Sequence, residues 1–379
     1  MHKTVIAFAI AGMAAAPAFA DSTATIYGSI DYGYGIRSGD SGLKTSCPTT
    51  PGPGCGKSEF ISGTDVYNRL GFKGSEDLGN GTKVIYELEM GFLADTGENS
   101  LPNNGLSTGG SGGNTGIFRN HSWVGLTGDW GTAIGGRVDG SRYSVTGKYD
   151  PFNNSTVAAP ASLNGQVTRG DNAIAYVTPN YQGLYAILAY TSSLIGQEAP
   201  YNNGDIRLYL GQFNYSQGPL NLTFNYEHYN FHNTQITGHI YQFGASYDFG
   251  VAKVTGMWEK VKTTLNGIPI AGNVIGDEQT WFVGGSVPLT EHDSLRAVYA
   301  DYKDKTSAQD SCTKWGIGGE HYMSKRTNVY VDFASITQKD LGHCTIYYNA
   351  WQASLDAGAG GNTGGVGTRG VDLGIVHRF

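Results

Sequence analysis

The chain has 379 residues, 25 basic against 32 acidic side chains and a net charge of −7, a balance that argues against a nucleic-acid partner. Only 15% of residues are charged, against 57 glycines and 24 tyrosines, which favours one large β-structure over two soluble domains. No stretch after the N-terminus approaches the ~20 apolar residues of a membrane-spanning helix, so any membrane crossing falls to short, half-apolar strands.

Residues 1–20 have the form of an export leader. Lys3 supplies the positive start, Val5 to Ala16 the apolar centre and Ala16-Pro-Ala-Phe-Ala20 a small-residue cleavage site, with cleavage expected after Ala20 and 21–379 as the mature barrel. The first strand, near 24–37, sets Ile26, Ile30, Tyr32 and Tyr34 against Thr25, Ser29, Asp31 and Arg37. A Gly/Pro/Ser/Thr-rich loop over 38–62 separates it from a second strand near 65–75, where Leu70 and Phe72 alternate with Arg69 and Lys73. The turn Glu76-Asp-Leu-Gly-Asn-Gly81 leads to a third strand with Val84, Tyr86, Leu88, Met90 and Phe92 opposite Lys83, Glu87 and Glu89. After a Gly/Asn loop, strands are predicted near 117–127 and 131–140, then a connection over 141–168 of mixed character.

The pattern continues at 170–178, 183–193, 205–216, 220–230, 239–249, 251–263, 278–288, 294–303, 313–323 and 327–337. A loop over 338–366 leads to a last strand ending at Phe379, which makes sixteen strands. In that last strand Val371, Leu373, Ile375 and Phe379 share one face, and an aromatic at the end of a strand suits a membrane-interface girdle. A soluble sandwich also alternates, but connections here are short and long in turn, and about ten residues per strand is what a tilted membrane strand needs. The fold expected is therefore all-β, an antiparallel transmembrane barrel.

Four cysteines in an exported chain permit disulfides, and four allow three pairings among which sequence does not choose. Closeness suggests Cys47 with Cys55 inside one loop, leaving Cys312 with Cys344; zinc is the weaker reading, since no Cys-x-x-Cys occurs. Gly109-Gly-Ser-Gly-Gly113 satisfies Gly-x-Ser-x-Gly, but within a polar glycine loop rather than between a strand and a helix. Gly56-Lys-Ser58 lacks the first glycine of a phosphate loop, where Pro51 stands. The nine histidines show no close ligand pair, so neither catalysis nor a metal is expected.

Ala24-Thr-Ile-Tyr-Gly-Ser-Ile-Asp31, Arg69-Leu-Gly-Phe-Lys-Gly-Ser-Glu-Asp-Leu-Gly79, Trp123-Val-Gly-Leu-Thr-Gly-Asp-Trp-Gly131, Gly135-Gly-Arg-Val138 and the Val-His-Arg-Phe end together resemble Gram-negative general porins of the neisserial and β-proteobacterial type. The cysteines and the long second and eighth loops depart from that pattern. The resemblance implies an outer-membrane homotrimer in contact with lipid, passive diffusion of small hydrophilic solutes and ions, no cofactor, and a third loop folded into the barrel, here 141–168. By strand parity Arg37, Arg69, Lys73, Arg119 and Arg137 point inward as a basic ladder. Asp139, Asp150 and Asp171, in or beside the third loop, form the expected acidic side. Five basic groups against three acids predict a weak anion preference across a transverse field. Lipid-facing Tyr32, Tyr34, Tyr86, Tyr190 and Tyr247 are expected in the girdle. The alternatives are a substrate-specific channel with a saturable lumen site, or a barrel enzyme or adhesin acting through its loops.

Overall fold

Period-two alternation obliges each extended segment to show one side chain set to each face of a sheet, and seventeen such segments join in one sheet. In the computed structural model, residues 22–39, 56–99, 116–163, 166–196, 198, 205–231, 235–265, 274–342, 344–346 and 367–379 are described. The strands are β1 (Ser22–Ser38), β2 (Lys57–Ser62), β3 (Arg69–Asp77), β4 (Lys83–Gly91), β5 (His121–Gly128), β6 (Gly131–Asp139), β7 (Arg169–Val177), β8 (Leu184–Thr191) and β9 (Ile206–Gln217). They continue as β10 (Leu220–Phe231), β11 (Ile236–Asp248), β12 (Lys253–Leu265), β13 (Val274–Pro288), β14 (Asp293–Asp304), β15 (Asp310–Tyr322), β16 (Thr327–Asp340) and β17 (Arg369–Arg378).

The sheet closes on itself. β17 pairs antiparallel with β1 from Ser29–Arg378 to Ser38–Arg369, and beyond it Gly28 and Phe379 exchange two backbone hydrogen bonds of 3.1 Å. The result is a sixteen-stranded barrel, because β2 and β3 share one place in the wall. β2 pairs with residues 32–37 of β1, and β3 with residues 22–29. Strand two therefore begins at Lys57, inside the segment expected to be loop, and breaks at 63–68. The break is held by Asp31 on β1, whose Oδ2 accepts from the Asp65 and Val66 N–H groups at 2.6 and 2.9 Å. Asn68 Oδ1 in turn accepts from the Asp31 N–H, and Gly63, at φ 68°, turns the chain inward. Polar side chains replace the ladder there, a pairing that periodicity does not report. The fourth predicted strand is also shorter, since β5 starts at His121 and leaves Arg119 in the approach to it.

Parity separates two environments. Large apolar side chains stand exposed on the outside, among them Ile26 at 64%, Ile174 at 61% and Phe213 at 59%, as expected of a wall that meets lipid. Inward positions such as Ser29, Asn225, Gln212 and Glu259 are polar and buried. Tyr32, Tyr34, Tyr86, Tyr190 and Tyr247 lie on the outward face, with Tyr32 stacked on Phe60 at 5.6 Å.

The connection between β6 and β7 folds into the barrel. It begins as helix α1 (Ser141–Tyr149) and ends in a 3-10 turn at Pro160–Leu163. Val145, Tyr149, Phe152, Val157 and Ala158 on this loop are at most 1% exposed, packed on Met257, Phe282, Val298, Ala300, Ala334 and Ile336 of the wall. Those wall residues are apolar at inward positions, which a water-filled lumen does not otherwise favour. Fully burying an aromatic such as Phe152 contributes about 1.5–3 kcal/mol. Polar bonds fix the register: Lys314 Nζ donates to Ala159 O at 2.7 Å, and Asp372 Oδ2 accepts from the Val157 N–H at 3.0 Å. Cys312 on β15 is bonded to Cys344 beyond β16, the expected pair, while Cys47 and Cys55 lie outside the described residues. The leader likewise lies outside them.

Inward glycines make room for the loop. A Cβ added at Gly316 would sit 2.6 Å from Ala158 Cβ, and one at Gly284 would sit 2.9 Å from Pro151 Cγ. Gly316→Val is expected to lift the loop from its seat, raising amide hydrogen exchange at 152–159 while strand amides keep their protection. Unchanged exchange at 152–159 would show that the seat does not depend on that glycine.

Candidate functional site

Inward positions of β3 to β7 bring charged side chains of both signs onto one wall. Arg69 on β3 lies 3.8 Å from Glu89 Oε2 on β4, and Lys73 Nζ stands 4.8 Å from the centre of the Tyr27 ring. Arg137 on β6 pairs with Asp171 on β7, and Arg169 Nη1 meets Asp139 Oδ1 at 2.6 Å. Arg137 Nε also donates to Arg119 O, which places the two arginines side by side. The Arg119 Nε and Nη1 are buried without a hydrogen-bond partner among the described residues. Burial and the Arg137 charge both lower its proton affinity.

Four of the five expected ladder residues share this wall. Arg37 does not. It is fully buried on β1 beside Glu59, at 2.5 Å, and donates to Ile346 O at 3.2 Å. Arg69 faces Ser29 across the ladder, eight residues away from Arg37 along β1 and so about 26 Å distant at strand rise.

The acidic side is not where spacing alone put it. Asp139 and Asp171 stand on the same wall as the arginines and pair with them. Asp150 is buried in the loop, its carboxylate accepting from the Phe152 and Asn154 N–H groups, both at 2.8 Å. A carboxylate after a helix end finds donors in the following turn, and this one serves the loop's own fold. Segment 141–168 carries three charges, Arg142, Lys148 and Asp150. Arg142 is bidentate to the buried Glu259 on β12, at 2.6 and 2.8 Å. Lys148 is therefore the loop's exposed charge, with its Nζ 3.0 Å from Thr223 Oγ1. The loop offers a cation to the lumen, not an acid.

Several residues of this site were not singled out from the sequence. Arg169 and His121 lie at strand starts that periodicity blurs. Glu87 and Glu89 were visible as inward residues of β4, but only the pairing of β3 with β4 and of β4 with β5 joins them to Arg69 and His121. The break at 63–68 also enters the lumen: Thr64 O accepts from the Thr156 N–H at 3.0 Å, and Asp65 pairs with Arg296 of β14 at 2.8 Å. Arg296 also holds Asp332 and Glu320, with its guanidinium 4.7 Å from the centre of the Phe152 ring.

A family model described as Gram-negative porin matches residues 5–341. An outer membrane porin protein of Bordetella pertussis is 27% identical, over 87% of this chain and 93% of its own. Outer membrane porin protein 32 of Delftia acidovorans is 28% identical over the whole of both chains. A solved structure described as an anion-selective porin from Comamonas acidovorans superposes with a TM-score of 0.73 at 23% identity, over 95% of this chain and 100% of that one.

Burial pushes Asp150 up to about 7 from an ordinary 3.8, against the two N–H bonds and the nearby charges of Lys314 and Arg296. The folded loop thus holds a proton that an unfolded one releases, so this contribution to stability is full below pH 3.8 and is lost as pH rises through 7. Raising the pH from 5 to 8 is expected to loosen the loop, seen as faster amide exchange at 150–154. Asp150→Asn should flatten that dependence, and a dependence that survives it would assign the effect to another group.

Proposed function

The chain belongs to the Gram-negative porin family, and from that premise we propose what its barrel discriminates and how it assembles. It is an outer-membrane porin, a water-filled channel for passive diffusion of small hydrophilic solutes and ions. On our reading the loop at 141–168 sets the size limit, and the wall of β3 to β7 with Lys148 biases the channel weakly towards anions. The observation that carries this is the surplus at that level. Arg69, Lys73, Arg119, Arg137 and Arg169 face Glu87, Glu89, Asp139 and Asp171, and Lys148 adds a further positive charge from the loop. Arg119 supports it most directly, since its Nε and Nη1 have no partner among the described residues. A relative of the same fold is described as anion-selective, which agrees with the reading. The assembly we propose is a homotrimer, as the family resemblance implies.

Planar-bilayer recording with reversal potentials across a salt gradient tests this. Conductance is expected to rise in groups of three steps with a small anion preference. Arg119→Gln and Lys148→Gln should each move the reversal potential towards zero, and the double variant further. A cation preference in the native channel, or variants that leave the potential unmoved, would sink the assignment.

A further inference from the structure

Three of the wall side chains converge on one another. Glu87, Glu89 and His121 each offer one ligand atom, and the three atoms lie within 4.8 Å of one another. None is an open surface group: Glu89 is 1% exposed, and the side chains of Glu87 and His121 are 19% and 14% exposed. They come from two paired strands, with Glu89 directly opposite His121 across β4 and β5.

The group is short of donors. Tyr27 has one hydroxyl proton and lies within bonding distance of both carboxylates, so it satisfies one at a time. Asn120 Nδ2 donates to Glu89 Oε1 at 3.0 Å, and Arg69 stands off at 3.8 Å. His121 Nε2 lies 3.1 Å from Asp139 Oδ1, and a proton there turns the Nδ1 lone pair inward. Nδ1 is buried, 3.4 Å from Glu87 Oε1, with no hydrogen bond. In the neutral imidazole these two acceptors face each other, and either a second ring proton or a metal ion fills the gap between them. A carboxylate behind the second ring nitrogen is also how metal-bound histidines are oriented.

We propose that Glu87, Glu89 and His121 bind a divalent transition-metal ion of zinc type on the inner wall, with Asp139 fixing the imidazole and water completing the shell. Two carboxylates and one imidazole form a donor set that zinc accepts, with bonds of about 2.0–2.2 Å. Side-chain rotations of about 1 Å close the observed spread to that distance. Occupancy places two positive charges beside Arg69 and Lys73, strengthening the anion bias. This last effect rests on the channel reading above; the binding itself does not.

Zinc binding to the purified full-length protein in detergent, stripped with EDTA and desalted, is measured by titration calorimetry. His121→Gln and Glu87→Gln are expected to remove one zinc per chain or weaken it at least tenfold. His228→Gln, which alters a stacked histidine pair on β10 and β11 outside the triad, should leave that zinc in place. If His121→Gln fails to fold, Glu87→Gln carries the test. Zinc should also shift the reversal potential of the open channel towards anions, reversibly with EDTA, where equal magnesium does not. Unaltered stoichiometry and affinity in the triad variants would overturn the site, and the triad would then be held by a protonated His121. An open channel without a zinc response, with zinc still bound at the triad, would overturn the effect on anion bias and leave the porin reading standing, whereas absent conductance with intact zinc binding would count against the porin reading alone.

Discussion

Closure of the backbone ladder is the constraint from which the rest of the structure follows. In hydrocarbon an unpaired N–H or C=O costs several kcal/mol, so the first and last strands must meet. They do so through β1 and β17, down to the paired Gly28 and Phe379. Once each backbone group is committed to a neighbour, side chains are the remaining variable, and alternation sends one set to lipid and the other to water. Phe379 shows the two requirements meeting in one residue. Its backbone ends the ladder while its ring covers the bare backbone of Gly28 on the outer face.

The same closure dictates how the lumen narrows. A strand that left the wall would break its ladder, so narrowing falls to connections. The long one between β6 and β7 turns inward onto apolar and glycine positions of the far wall. The short one, 63–68, leaves the wall only because Asp31 and Asn68 supply the lost backbone bonds. Where the two meet the wall, Arg296 collects Asp65, Asp332 and Glu320 behind Phe152. Removing one member of so buried a network leaves the others uncompensated, commonly at about 3–5 kcal/mol. The loop and the break at 63–68 are thereby joined in one inner rim.

Strand number, parity and the outward tyrosines were legible in the sequence because each depends on period two, which ten residues suffice to display. The Cys312–Cys344 link was reachable as the pair left over once nearness along the chain set Cys47 with Cys55. The break in strand two was not, since an Asp and an Asn 37 residues apart substitute for a ladder that periodicity assumes. Asp150 looked like a lumen acid by position, yet the turn that follows it supplies two N–H donors that draw it inward. The loop's seat did leave a trace at Met257, an apolar inward residue between the polar inward residues Thr255 and Glu259. Glu87 and Glu89 were legible as inward residues, but their nearness to His121 was not, because residues on different strands have no spacing to detect.

The placement of charge bears on how selective such a rim can be. A transverse field needs opposite signs on opposite sides, but here the loop shows Lys148 while its acid is buried and its arginine is neutralised by Glu259. On the facing wall, Arg137 with Asp171 and Arg169 with Asp139 are close dipoles whose influence falls off faster than that of a net charge. On the anion-biased reading proposed above, an ion near the axis responds mainly to the cations without a carboxylate partner among the described residues, Lys73, Arg119 and Lys148. That surplus acts across water with a screening length of about 8 Å at physiological salt. Discrimination of this kind is modest, weakens as salt rises, and depends on net charge at the rim more than on the orientation of a field.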